Sequence, residues 1–268
     1  MSNPVKKKKN QVKPIAKPYL KGNVLSRLSV VRGIKLWLYP LIFILINLFI
    51  GAAFSFDGLP ILRIPLNLIL ILFTIFLVFN NGQNTGYGDI TLAEIMYNHQ
   101  QEGKPVSPKD LDRCYHPLKG VVTALIGYLP FLILALIYAL TAQKQQYSLP
   151  ALPSWLSSYE NQSAIMAPLA YYQTTETLTA GAILRVVMRL MLFPYINLAG
   201  SRNTEMMLLV DRLSPVALFL PFLGYILGYL LGRNSRAMVH GSIAAADRKR
   251  RRKTRQQQRK PRNKTELI

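Results

Sequence analysis

The sequence predicts an all-α integral membrane protein with four transmembrane helices and one Arg-bearing interfacial or re-entrant helix, five spans being the alternative. Three observations carry this. Half of the 268 residues are hydrophobic, and they are gathered into runs of about twenty, the length a helix needs to cross the hydrocarbon core. The net charge of +21 sits at the ends: residues 1–35 hold ten Lys or Arg and no acid, and residues 233–268 hold thirteen against Asp247 and Glu266. The third is the run 180–200, which is long enough to span yet contains Arg185 and Arg189.

The basic arm, 1–35, runs through Lys6 to Lys9 and then Lys13, Lys17 and Lys21. It lacks the apolar content for a core and is expected to be mostly mobile. The membrane domain, 36–232, opens with a span at 36–54 that is longer than a signal-peptide core and reads as a retained anchor. A link with Asp57, Gly58 and Pro60 joins it to the second span, 61–79, giving a helical hairpin. Arg63, within a turn of that span's start, can reach the interface as an anchor.

The loop 80–119 is polar. Thr91 and Glu94 fit a capping box, so a short helix is expected to begin there and stop at Gly103 and Pro105. Ser107 as N-cap with Pro108 behind it starts a second small helix. The third span, 121–142, is free of charge, and Pro130 is expected to kink it. The segment 143–212 is assigned to the outside. Its Trp155, Tyr159, Tyr171 and Tyr172 suit an interfacial belt or a small core of their own. The last span, 213–232, contains Gly224, Gly228 and Gly232, a row that allows close helix approach and is read as packing within the bundle.

The run 180–200 is decided by parity. An Arg near mid-span costs roughly 2.5 to 3.5 kcal/mol and each large aliphatic residue returns about 0.3 to 0.6, so two arginines offset about a dozen of them. Positive residues near span ends stay cytoplasmic, and both termini are strongly basic, which requires an even number of crossings. The four clear spans already supply it. The interfacial reading puts Arg185 and Arg189 in water or headgroups, since the spans hold no acidic partner for them.

Short motifs point to no catalysis. Thr85-Gly86-Tyr87-Gly88-Asp89 is similar in composition to a potassium-channel filter. It lacks the residue between Thr and the first Gly, and no pore helix precedes it, so it is read as a glycine turn. His99, Cys114 and His116, with Asp110 and Asp112, are zinc-ligand types at spacings that match no template, and no metal or cofactor is expected. The lone cysteine, Cys114, rules out an internal disulfide.

The expected function is that of a non-enzymatic component of a membrane assembly or transport system in the plasma membrane, with both termini cytoplasmic. Its partners would be another membrane protein or further copies of itself. The tail, 233–268, includes Arg248, Lys249, Arg250, Arg251, Arg252 and Lys253, expected to contact anionic lipid at about 1 kcal/mol per charge near the surface. RNA or ribosome contact would use the same charges, though the run has no aromatic residue for base stacking. The alternative is a transporter or channel in its own right, whose polar path would be lined by Arg63, Arg185, Arg189 and Asn197. An enzyme is the distant third.

Overall fold

The computed structural model describes residues 13–51, 60–142, 180–200 and 204–259. Lys6 to Lys9, the Asp57–Gly58 link, the aromatic residues from Trp155 to Tyr172, and the tail beyond Arg259 lie outside the described residues. Among those described, the regular structure is entirely helical: α1 (Arg27–Leu36), α2 (Leu38–Ile46) running into a π-helical turn (Asn47–Gly51), α3 (Pro60–Gln101), α4 (Pro108–Leu111), α5 (Pro117–Thr141), α6 (Ala180–Ala199), α7 (Thr204–Arg212) and α8 (Ser214–Arg259).

Five stretches are long and apolar enough to cross a membrane, namely Arg27–Phe49, Ile61–Gln101, Pro117–Thr141, Ala180–Ala199 and Ser214–Gln256. Burial is inverted relative to a water-soluble protein. Asn67, Thr123 and Ser214 are buried, while Leu68, Ile69, Phe76, Leu129 and Leu140 are exposed. Apolar faces of that extent require a lipid solvent. The chain is thus an all-α, multi-pass membrane protein.

The described residues divide into two compact units, one drawn from Met1–Val31, Phe79–Thr123 and Gly224–Ile268, the other from Arg32–Val78 and Ala124–Leu223. In the first unit the sequence-based picture of a mobile arm and a polar loop needs correction. From Lys13 onward the N-terminal segment is an extended strap, tied by Ile15 N–H to the Ala237 carbonyl (3.0 Å), Leu20 N–H to Ala93 (3.1 Å) and Gly22 N–H to Tyr115 (3.0 Å). There is no turn at 85–89 and no helix start at Thr91, because α3 continues unbroken to Gln101.

Local propensity argues against that continuation, since each helical Gly costs about 1 kcal/mol relative to Ala. Packing reverses the balance. Val78, Gly82, Gly86, Asp89, Ile90, Ala93 and Glu94 form one buried stripe at helical spacing. Thr91 donates its hydroxyl to the Tyr87 carbonyl at 2.8 Å instead of capping a new helix. Gly82 and Gly86 meet the carbonyls of Tyr225 and Tyr229 on α8, while Gly228 and Gly232 meet the α3 backbone at Phe79 and Tyr87. Sequence numbers rise together along this contact, so α3 and α8 run parallel here. The glycine row serves packing within the chain.

The link from α3 to α5 follows its sequence signals. Gly103 adopts φ 73° just past α3, the left-handed conformation that ends a helix at low cost for Gly. Ser107 caps α4 by accepting the Lys109 N–H at 3.3 Å, with Pro108 in the first turn.

In the second unit, α5 packs antiparallel to the start of α8: the Tyr128 hydroxyl donates to the Pro215 carbonyl, Ser214 Oγ to Ala135 (3.3 Å) and Tyr138 to Asp211 (2.7 Å). The indole of Trp37 donates to the Ile126 carbonyl at 3.2 Å. Helix α6 ends on Gly200, whose φ of 91° suits glycine and whose amide bonds the Ile196 carbonyl at 3.0 Å.

The partners of α6 are end segments of other helices. Asn47, just past α2, donates to the Leu190 carbonyl (3.0 Å). Arg189 pairs with Asp211 (3.6 Å), just before α8. Asn197 donates to Asn67 (3.2 Å), in the second turn of α3. Helix α6 also packs against α2, the π-helical turn and α7, and Tyr195 donates its hydroxyl to the Ala217 carbonyl of α8 at 3.2 Å.

Candidate functional site

Polar side chains gather at two places in the first unit. In the first turn of α5, Lys119 is fully buried, with Nζ 3.3 Å from Asp89 Oδ2. The same ammonium donates to the carbonyls of Asp112 (2.7 Å) and Cys114 (3.1 Å). Asp89 also accepts the Tyr229 hydroxyl at 2.9 Å. Tyr229 in turn stacks on Tyr115 with centroids 5.2 Å apart, and Tyr19 of the strap meets Tyr115 edge-on at 5.8 Å. A buried ion pair is tolerable only when its remaining hydrogen-bond capacity is used, and these contacts supply it.

About one and a half turns further along α3, Glu94 accepts from Arg236 Nε at 3.1 Å and sits 2.8 Å from His240 Nε2. Arg236 also donates to the Tyr87 hydroxyl at 3.0 Å and lies over its ring. Gln83 donates to Ser235 at 2.7 Å. The cavity lined by Ala16, Lys17, Tyr19, Ile90, Glu94, Arg233 and Ala237 has a volume of about 10 Å³, room for about one water.

The zinc-ligand types do not converge. Among the described residues no three His, Cys, Asp or Glu come together as a metal-binding group. The His116 Nδ1 accepts the Leu118 N–H at 3.2 Å, capping the first turn of α5. Burial, with Lys21 and Lys119 nearby, lowers its pKa and keeps that lone pair available. Cys114 is fully buried, beneath Gly22, whose added Cβ would strike the Cys114 carbonyl. Burial pushes its thiol up to about 11, Lys119 opposing the shift and Asp89 and Asp110 adding to it.

Cys114 is therefore expected to react with maleimide at pH 8 about 100-fold more slowly than an ordinary thiol from ionisation alone. The rate should rise about tenfold per pH unit towards pH 11, because only the thiolate attacks. Timed alkylation in mild detergent and in denaturant checks this. Fast labelling of the folded protein would mean that the link around residue 114 is open.

The proposed path residues separate in the second unit. Arg63 and Asn197 come together: Asn67 accepts from Asn197 and donates to the Arg63 carbonyl at 2.8 Å, and the Arg63 guanidinium lies against Gly200. Arg189 belongs to a second cluster with Asp211, which also accepts the Tyr138 hydroxyl. Arg185 is half-buried one turn before it. The spans themselves supply no acid to these arginines, and the partner of Arg189 is Asp211. It lies outside the apolar runs, in a segment judged only by its inability to span.

Arg248 to Lys253 are all exposed on α8. Sequence reasoning missed Asp89, Lys119, Tyr229, Asn67 and Asp211. A signal for Asp89 is its place on the stripe Gly82, Gly86, Ile90 and Ala93. No protein-family model matches the chain, and no curated protein or solved structure matches it either.

Proposed function

We propose that this chain is a non-enzymatic component of a membrane assembly or transport system in the plasma membrane, with both termini cytoplasmic. The observation that carries it is the first unit: the N-terminal strap, the α3–α5 link and the C-terminal part of α8 are bonded together as one polar body. Those bonds support a single membrane face for the three segments, and the basic residues of both tails assign that face to the cytoplasm. An even number of crossings follows. The reading of α6 as an interfacial or re-entrant element rests on that even number.

The internal pairing of the polar groups favours a component over a conductor. Arg189 pairs with Asp211 through Nη2 and Asn197 with Asn67, so both tie helix ends together. The exposed aliphatic faces of α3 and α5 offer surface for lipid or for another membrane protein. Anionic lipid contact in this reading falls to the basic residues nearest the apolar runs, Arg27, Arg32 and Lys35 on α1 and Arg233 on α8.

Purification of the tagged chain in mild detergent is expected to bring down a foreign membrane subunit in fixed ratio. A lone homo-oligomer that supports solute flux in liposomes would replace this reading with the transporter.

A further inference from the structure

Helix α8 does not stop where its apolar run ends. It continues past Leu231 through Arg259 without a break. Its last packed side chains in the first unit are Ala237, under the strap, and His240, on Glu94. From Ser242 to Gln256 every side chain is exposed except the half-buried Ala244. Among the described residues this part of the helix has no packing partner.

Arg248 lies roughly 26 Å beyond Leu231 along the helix, and Lys253 roughly 33 Å. Even at a tilt of about 40°, and after about 6 Å of headgroups, Arg248 stands about 14 Å clear of the lipid surface. The Debye length in the cell is about 8 Å, so attraction to anionic lipid is largely screened there. The expectation that Arg248 to Lys253 contact lipid holds only for a tail that folds back at the end of the span, and α8 continues as a helix through that point.

The charges are also distributed wrongly for a plane. Arg248, Lys249, Arg250, Arg251, Arg252 and Lys253 are consecutive, and at 100° per residue they surround the helix. A flat membrane engages one face of a helix and favours basic and apolar residues on separate sides. A ligand that meets charge all round must enclose the helix. The phosphate walls of an RNA groove opened at a bulge or internal loop do so, and arginine-rich segments fold on RNA binding. The absence of an aromatic residue from 242 to 259 disfavours single strands, which need stacking platforms.

We infer that α8 beyond Gly241 is an arm that binds structured RNA through its phosphates. The strap extends the basic surface at the base of the arm, where Lys13, Lys17 and Lys21 are exposed and Ile15 is bonded to Ala237. The inference rests on the cytoplasmic placement of the first unit only for its biological setting. Binding in vitro is indifferent to sidedness and to membrane partners, so it can fail while the assembly reading stands, or hold while that reading fails.

The test uses the full chain in nanodiscs of neutral lipid and a fluorescent RNA hairpin of about twenty base pairs interrupted by an internal loop, read by anisotropy. Binding is expected with a log–log salt slope of about −5, as for about six phosphate contacts. The triple change Arg250→Gln, Arg251→Gln and Arg252→Gln should weaken it at least tenfold and flatten the slope by about 3. Ala245→Pro keeps every charge but breaks the helix, and should weaken binding several-fold. Three results would overturn the inference: hairpin affinity no greater than that of a chain ending at Gly241, equal affinity for single-stranded RNA, or full affinity in Ala245→Pro. A dye on Thr254→Cys that moves onto nanodiscs containing anionic lipid, and that RNA does not release, would return the arm to the membrane.

Discussion

Gly228→Leu is expected to remove nearly all folded protein from the membrane. The added Cβ would fall against the Phe79 carbonyl, with the Gln83 nitrogen 3.0 Å away, and both are backbone atoms of a helix that cannot rotate aside. Overpacking of a core costs about 1 to 3 kcal/mol even where side chains can adjust. Here a whole helix must move, and the Gly82, Gly86 and Gly232 contacts move with it. Gly88→Ala is the matched control, because its Cβ would meet nothing within 4 Å and Ala is the better helix former by about 1 kcal/mol. Detergent-solubilised chromatography should show the monodisperse peak lost in the first variant and retained in the second. Equal survival of both would mean that α3 and α8 are not in backbone contact.

Lys119→Met is expected to destabilise the first unit by about 3 to 5 kcal/mol, the usual consequence of removing one member of a buried pair. Asp89 would remain 3% exposed with its cation gone, and the Asp112 and Cys114 carbonyls would lose their shared donor. The apparent Tm should fall by roughly 6 to 20 °C, at about 2 to 4 °C per kcal/mol for a chain of this size. Adding Asp89→Asn should recover much of the loss, since the stranded charge is the larger part of the cost. A thermal melt of the single and double variants reads this directly. A Lys119→Met protein that melts with the parent would contradict the pairing.

The fold was legible where one physical effect dominates. Apolar runs of bilayer length located the spans, and Ser107 with Pro108 located α4, because hydrophobic length and capping are local. The course of residues 80–101 was hidden, since Gly82, Gly86 and Gly88 are identical as residues yet only the first two face α8. Local propensity at those positions is overruled by a partner about 140 residues away. The strap was hidden for a related reason: residues 13–26 form no regular structure of their own and are held by amides of Ile15, Leu20 and Gly22, which carry no side-chain signature. Of the polar groups proposed for a path, Arg63 and Asn197 were brought together by Asn67, which sequence patterning left inside an apolar run. Arg189 found Asp211 across a segment whose charge made it look irrelevant to the bundle.

We propose that the strap, the α3–α5 link and the end of α8 face the cytoplasm and that Ala180–Ala199 does not cross the bilayer. Cys114 cannot report it, being buried and slow to ionise, so it is replaced by Ala and single cysteines are placed at exposed positions. Gln100→Cys, Met206→Cys and Thr254→Cys are then treated with an impermeant maleimide on intact cells. Met206→Cys is expected to be labelled at once, and Gln100→Cys and Thr254→Cys only after permeabilisation. Labelling of Thr254→Cys from outside, with Gln100→Cys protected, would mean that Ala180–Ala199 crosses the bilayer and that the two ends of the first unit do not belong together.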